Sequence, residues 1–236
     1  MCGRYAQTRA DDKLARDFAV QQILVDAGRP SWNVAPTTVM PVVLERVEDD
    51  KVVRQLRPAR GGLTPSWMKD PAGGARLINA RAETITQKPA FRKAATSRRA
   101  VIPMDGYFEW QRHPGEKRKT PYYLTGPDAA PLAAAGLYEL WPDPSTPEDD
   151  PGRWLWTYTV ITTTATDSTG HIHDRAPLLL PADMVDTWLD PSLTDPEQVR
   201  QLVASVPEPQ LVPRKIGYDV GNVRNDRPDL IQPIEG

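Results

Sequence analysis

The stretch AVIPMDGYFEW, residues 100–110, shows the pattern that decides the fold. Its two apolar runs, 100–103 and 107–110, predict β-strands, and the residues between them have the composition of a turn. The same kind of run recurs along the chain, at 38–44, 52–56, 122–124, 133–138 and 156–164. We therefore expect a chain that is rich in strands through its middle.

Helical patterns are confined to the margins of the strand-rich part. Residues 11–20 predict a helix capped by Thr8 or Asp11, and residues 181–189 and 196–206 predict two more with proline in the first turn. The proline-rich segment 141–152 predicts a loop between two strands. Because strands come in long runs and do not alternate with helices, the pattern favours one α+β domain with a curved, barrel-like, mostly antiparallel β core flanked by helices.

Length and composition indicate an ordinary globular protein of the cell interior. The 236 residues are enough to bury a full core, and no run of about 18 apolar residues suggests a membrane span. Cys2 is the single cysteine, which excludes an internal disulfide and a zinc site of several cysteines. We expect a cytoplasmic protein in a reducing compartment.

The net charge of −2 hides an asymmetry between the two halves of the chain. Residues 1–120 carry 22 Lys and Arg against 13 Asp and Glu, a net of +9, and residues 121–236 carry 7 against 18, a net of −11. A basic half could hold a polyanion. The alternative is a solvated surface in which folding mixes the charges again.

Cys2 is a candidate nucleophile because removal of one methionine would make it the first residue, followed by the unhindered Gly3. The amine and thiol of such a terminus have pKa values of roughly 7.7–8 and 8.5, so both are partly nucleophilic near neutral pH. An aldehyde could form an imine with the amine and be captured by sulfur as a thiazolidine. The alternative is that the cysteine is incidental.

Two polar groups in the strand-rich part are candidates for chemistry. Asn79 and Arg81 would share a face of an extended segment, and such a pair suits a site that orients a nucleophile and holds a phosphate. Glu109 stands between Phe108 and Trp110, where an ionised carboxylate is expensive to bury unless it is paired or functional. It therefore suggests a proton relay, although simple alternation could turn it to water.

Two of the three histidines lie together at His171 and His173. No further ligand accompanies them at a spacing typical of a metal site, so no metal is expected. One imidazole acting as an acid or base near neutral pH is the better interpretation.

The chain resembles the SRAP-domain family, the abasic-site processing proteins that are also called SOS response-associated peptidases. The likeness covers residues 2–220 and leaves a C-terminal tail at 221–236. Seven motifs occur in the family's order: MCGRY (1–5), WNVAP (32–36), GLTPSW (62–67), NARAET (79–84), PMDGYFEW (103–110), AGLYE (135–139) and HDRAP (173–177).

The resemblance implies both an activity and roles for individual residues. Family members capture the ring-opened aldehyde of an abasic site in single-stranded DNA as a thiazolidine on the mature N-terminal cysteine. By motif position Cys2 would be the nucleophile, Asn79 would position it, Glu109 would relay protons, and His173, with His171 as a competitor, would assist sugar ring opening.

The resemblance also implies a DNA channel. Arg4 and Arg81 would grip phosphates near the lesion. Further residues would shape the channel: Trp32, Asn33, Pro36, Trp67 and Trp110. The protein would act without a cofactor, as a monomer, on abasic single-stranded DNA, and would join the nucleoid when bound to DNA.

The chain departs from the family pattern at two positions, and two other functions stay open. Gly61 stands where the family usually has tryptophan, and Ala176 where it usually has methionine, which puts DNA affinity in doubt but not the type of reaction. The other functions are an N-terminal-cysteine peptidase or amidohydrolase, which uses its own amine as base, and a non-catalytic single-strand-binding module.

Overall fold

The computed structural model describes residues 3–24, 29–128, 130–165 and 169–234. The strands are β1 (Tyr5–Gln7), β2 (Gln22–Ile23), β3 (Ser31–Val34), β4 (Val39–Glu48), β5 (Lys51–Gly61), β6 (Asn79–Arg81), β7 (Arg99–Met104), β8 (Gly106–Gln111), β9 (Thr120–Thr125), β10 (Leu132–Pro142), β11 (Trp154–Thr164), β12 (Arg175–Pro177), β13 (Leu179–Leu180) and β14 (Val212–Lys215). The α-helices are α1 (Asp11–Asp17), α2 (Arg92–Ser97), α3 (Val185–Leu189) and α4 (Pro196–Ser205).

Five long strands close into a barrel in the order β4-β5-β11-β10-β7, with β7 paired back to β4. Every pairing in the ring is antiparallel except that of β5 with β11, which is parallel. The predicted α+β fold with a barrel-like, mostly antiparallel core is confirmed. The predicted loop 141–152 does join two paired strands, β10 and β11.

The β4–β5 hairpin is longer than its sequence pattern predicted. Glu48 pairs with Lys51, and Asp49 and Asp50 between them have φ values of 48° and 61°. Positive φ at both central residues is typical of the tight turn that matches the twist of a hairpin. The pairing extends both strands beyond their apolar residues into polar ones. The apolar pattern alone does not predict this extension.

A second sheet, in the order β14-β9-β8-β1-β3, stands beside the barrel. The turn at 104–106 passes the chain from β7 in the barrel to β8 in this sheet, and so does not close a hairpin. Asp105 in the turn accepts hydrogen bonds of 2.6 Å from both the N–H and the hydroxyl of Thr8. These bonds hold the residues that follow β1 against the turn.

The helices cover the outer face of the barrel. Trp188 of α3 is fully buried and donates its indole N–H to the carbonyl of Ala100 at 2.8 Å. The helix predicted at 196–206 is confirmed, with Asp195 accepting from the N–H groups at its start. At 181–189 only the second half is α-helical, after a 3-10 turn at Ala182–Met184.

Two helix predictions were incomplete. Helix α1 ends at Asp17 and begins after Ala10, whose side chain makes no capping hydrogen bond, so the predicted Thr8 or Asp11 cap was wrong. Helix α2 was not predicted. In the part of the chain that the structure describes, no helix is long and apolar enough to cross a membrane.

Candidate functional site

Strand β1 brings the beginning of the chain beside Glu109. Tyr5 pairs with Tyr107, and the N–H of Phe108 donates to the carbonyl of Arg4 at 2.9 Å. This bond extends the antiparallel pairing to Arg4 and Phe108, so Gly3 precedes the paired residues on the side of Glu109. Cys2, the predicted nucleophile, lies outside the described residues, so Gly3 is the nearest position whose surroundings are defined.

Glu109 is buried, with 3% of its surface exposed. Its neighbour Phe108 points to the other face of β8, where its ring lies 5.1 Å from that of Tyr123. Glu109 therefore shares its face with Tyr107, which packs in the barrel-side core. The open alternative that Glu109 faces water is wrong, because the strand turns this carboxyl group inward.

Asn79 lies in a strand that pairs with one wall of the cavity beside Gly3. Strand β6 runs parallel to β11 with Asn79 opposite Val160. Gly3 and Val160 both line a narrow cavity of about 20 Å³, together with Tyr5, Pro36 and Tyr158. The cavity thus joins the start of the chain to the strand that positions Asn79, and we call this end of the barrel the site mouth.

Two tyrosines form part of the cavity, and sequence reasoning missed both. The hydroxyls of Tyr5 and Tyr158 are 2.8 Å apart, and both residues are buried. Burial raises the pKa of Tyr158 to about 12, so its hydroxyl stays protonated at neutral pH. The only signal in the sequence was the inward position of Tyr158 in an alternating strand.

His173 has a fixed orientation, whereas His171 has an exposed side chain. The Nδ1 atom of His173 accepts the backbone N–H of Arg175 at 3.0 Å. The carboxylate of Asp174 also lies 2.9 Å from Nδ1, but it is 87% exposed, and we assign Nδ1 as an acceptor because the backbone donor is fixed. Neutral His173 then carries its proton on Nε2, where it can donate.

An ion pair between Arg175 and Glu83 joins two of the sequence motifs, and sequence reasoning missed it. Two guanidinium nitrogens of Arg175 donate to the two carboxylate oxygens of Glu83 at 2.6 and 3.1 Å, and one also donates to the carbonyl of Thr162 at 2.6 Å. These contacts lower the pKa of Glu83. They hold the residues after His173 against the turn after Asn79 and Arg81.

The two arginines predicted to grip phosphates have different surroundings. Arg81 is exposed and has no ion-pair partner among the described residues. The guanidinium group of Arg4 donates to the side-chain oxygen of Asn33 and, at 2.6 Å, to the carbonyl of Val220, and it lies 5.9 Å from the ring centre of Trp110. Burial lowers the pKa of Arg4. Its contacts hold the guanidinium group against Asn33 and the carbonyl of Val220.

Asn33 is 3% exposed and holds the C-terminal segment. Its amide group donates to the carbonyls of Val220, Asn222 and Asn225 at 3.2, 3.3 and 2.8 Å. The segment predicted as a tail therefore packs against β3 at this point.

The remaining predicted channel residues differ in exposure. Trp67 is 63% exposed, and Pro36 is exposed at the rim of the narrow cavity. Trp32 and Trp110 are half-buried. Trp67 and Pro36 are thus the members of this set that a ligand can reach directly.

Comparison with known protein families identifies the family of this chain. The family described as "SOS response associated peptidase (SRAP)" matches residues 1–223. The chain belongs to the SRAP family.

Two curated relatives extend the SRAP match over almost the whole chain. It is 35% identical over 233 residues to the Abasic site processing protein YoqW of Bacillus subtilis (strain 168), covering 98% of this chain and 99% of that protein. It is 29% identical over 272 residues to the Abasic site processing protein HMCES of Gallus gallus, covering 100% of this chain and 78% of that one.

A crystal structure of a protein from Bacteroides thetaiotaomicron shares the SRAP fold seen here. Its TM-score is 0.81 at 24% identity, over 99% of this chain and 100% of that one. At that identity the likeness concerns the fold alone.

Two positions where this SRAP chain departs from the family pattern differ in their surroundings. A side chain on Gly61 would come within 3.2 Å of the Thr37 nitrogen and 3.4 Å of the Tyr158 hydroxyl, so Tyr158 occupies the space that a larger residue would need. Ala176 is buried on β12, away from the narrow cavity. Among the described residues, no three histidine or acidic side chains are grouped so as to hold a metal ion.

Proposed function

We propose that this chain processes abasic sites by capturing them in single-stranded DNA as a covalent thiazolidine on Cys2, the mature N-terminal residue. The observation that supports the proposal is the pairing of β1, near the start of the chain, with β8, which holds the buried Glu109. Gly3 also lines a cavity with Val160, the residue that pairs with Asn79. The names of the YoqW and HMCES relatives, abasic site processing proteins, support the same substrate.

The reaction needs no group beyond the terminal residue and the aldehyde. The amine of Cys2 attacks C1′ of the ring-opened sugar, and loss of one water gives an imine. The thiol then adds to the imine carbon, and the nitrogen takes up a proton, which closes the five-membered ring. Each step moves a proton to or from an attacking or leaving atom, and a positioned acid–base group accelerates such transfers.

Three residues have different roles in these steps: Glu109, Asn79 and His173. The buried carboxyl group of Glu109 relays protons during imine formation and reversal, because it lies on the strand that pairs with β1 near the start of the chain. Asn79 orients the amine or the thiol. His173, with its proton on Nε2, donates to the sugar oxygen as the ring opens.

Exposed side chains hold the DNA strand. Arg81 contacts a phosphate, and Trp67 and Pro36 contact flanking bases without reading sequence. Single strands are preferred because an N-terminal nucleophile reaches C1′ only where the sugar is displaced from its neighbours. We place the protein in the cytoplasm, acting as a monomer and bound to nucleoid DNA when engaged.

The test is to incubate mature protein with an abasic single-stranded oligonucleotide and to look for a band that survives denaturation by heat. Wild type should give the band. Cys2→Ser should allow an imine but no stable ring, and an uncleavable residue before Cys2 should block both steps. A Ser variant whose adduct is as durable as that of wild type would exclude capture by sulfur.

The same assay separates the two alternative functions. The family description includes the word peptidase, and an N-terminal-cysteine peptidase would turn over a peptide and leave no lasting DNA adduct. A non-catalytic binding module would shift the oligonucleotide in a native gel, with or without Cys2, and give no heat-stable band.

A further inference from the structure

The barrel has a second mouth at the far end of the strands that form the site mouth. Along β11, Val160, Tyr158, Trp156 and Trp154 lie on one face, since side chains alternate along a strand. Val160 pairs with Asn79. Trp154 is six residues away, or about 20 Å at ~3.3 Å per residue.

An arginine–aromatic stack fills this second mouth. The ring of Trp156 stacks on that of Tyr138 with centroids 5.6 Å apart and an interplanar angle of 18°. The guanidinium carbons of Arg57 and Arg46 lie 3.9 and 5.3 Å from the Trp156 ring centre. Planar arginine groups over aromatic faces are held rigidly and keep their outer N–H donors for a partner.

The charge of the stack is poorly balanced by its surroundings. Neither Arg46 nor Arg57 has an ion-pair partner in the part of the chain that the structure describes. Glu48 accepts from Gln55, and the nearby Arg98 is occupied by Glu139 at 2.9 Å. Burial, and then the charge of Arg46, lower the pKa of Arg57, and the charge of Glu48 offsets only part of that effect. A further anion here would relieve the remaining repulsion.

The rim of the second mouth is open and aromatic. Arg46 and Trp154 line a cavity of about 500 Å³ together with Ser66, and Trp154 is 45% exposed. The loop after β5 runs from the site mouth toward this rim, because Gly62 bonds to Tyr158 and Thr64 to Thr157 before the chain reaches Ser66. Residues 62–65 of this loop are buried, and the chain becomes exposed at Ser66 and Trp67, beside the rim of the second mouth.

We infer that the second mouth, formed by Arg46, Arg57, Trp154 and Trp156, binds the single strand that flanks the captured site. The arginines contact phosphates and Trp154 stacks on a base, which is the combination used for sequence-independent binding of single strands. The inference rests on the proposed function and extends it, because it gives the strand a path of about 20 Å beyond the site mouth.

The experiment compares affinities for unmodified oligonucleotides of about 5 and about 20 nucleotides, lengths that span the usual range of single-strand site sizes. For the Arg46→Gln, Trp154→Ala double variant, the ratio of long- to short-strand affinity should fall about tenfold, since stacking of one base contributes ~1–3 kcal/mol. The salt slope for the long strand should flatten by about 0.7 with the loss of one phosphate contact. The control, Arg16→Gln on the exposed face of α1, should keep the wild-type ratio.

Each outcome bears on one proposal. An unchanged ratio and slope in the folded double variant would overturn the inference, and so would an equal loss for both lengths. If the double variant unfolds, Trp154→Ala alone is measured, because its side chain is on the exposed rim. Failure of wild type to form any heat-stable adduct would instead refute the proposed function, whatever the ratio.

Discussion

The two mouths of the barrel are formed by the same strands but differ in the size of the side chains that line them. At the site mouth, Gly3 and Gly61 leave a cavity of about 20 Å³ beside buried Tyr158. At the second mouth, long side chains pack on Trp156 and fill the barrel end. Gly3 and Gly61 contribute no side-chain packing, whereas the large stacked side chains contribute stability, so we expect substitutions at the two ends to affect different measurements.

The largest expected effect is that of Glu109→Gln on chemistry. It should slow adduct formation or reversal by roughly 10²-fold, the lower end of general acid–base effects, and leave affinity for unmodified strands near wild type. The matched control is Glu139→Gln, because Glu139 is also buried but is paired with Arg98.

The Glu139 control should keep the adduct rate and lose stability instead, since it weakens a charge-assisted contact. Single-turnover rates and urea unfolding measure the two quantities. His173→Ala should likewise slow adduct formation or reversal and leave affinity for unmodified strands near wild type. Equal losses of binding and rate in either variant would assign that residue to the channel.

The next effect is on stability at the second mouth. Trp156→Ala should lower the free energy of unfolding by about 2–3 kcal/mol, somewhat less than for a fully buried tryptophan because part of the ring is exposed. Trp67→Ala is the control: its side chain is 63% exposed, so the change should stay within about 0.5 kcal/mol. If urea unfolding showed that the two variants lose equal stability, the packing assigned to Trp156 would be wrong.

The two arginines near the site mouth should separate binding from stability. Arg81→Ala should weaken binding to all single-stranded sequences about equally and flatten the salt slope by roughly 0.7, with unchanged stability. Arg4→Ala should instead lower stability by about 1–3 kcal/mol, because Asn33 and the Val220 carbonyl lose a charged donor. A flattened slope with full stability in Arg4→Ala would show that Arg4 contacts a phosphate after all.

The smallest effect concerns pH and Glu83. Arg175 holds the pKa of Glu83 below its ordinary value, so the pair stabilises the fold above the unfolded-state pKa of about 4.3 and loses that contribution as pH falls through the lower folded-state value. Because Glu83 is half exposed, the contribution is only a few tenths of a kcal/mol. The stability difference between wild type and Glu83→Gln at pH 7 should shrink progressively as pH falls below about 4.3; a constant difference would show that the loss is not electrostatic.

Most elements of the fold could be predicted from local pattern, and most misses share one cause. Every predicted strand exists, since alternating apolar residues identify a half-buried strand. The extra length of β4 and β5 and the helix α2 were missed, because polar residues in these segments are held by pairing or packing with distant parts of the chain. The cavity position of Tyr158 and the Arg175–Glu83 ion pair were not predicted for the same reason.

The sequence by itself determined the kinds of element, the α+β class, the likeness to the SRAP family and the short motifs that carry candidate chemistry. The tertiary structure alone decided which motifs meet. The β1–β8 pairing places the start of the chain beside the strand that holds Glu109, and the β6–β11 pairing places Asn79 opposite Val160, which lines a cavity with Gly3. Burial separates the partly buried Arg4 from the exposed Arg81. The physical reason is that strand pairing joins residues far apart in the chain, and that the environment of a charged side chain depends on neighbours that only the closed barrel supplies.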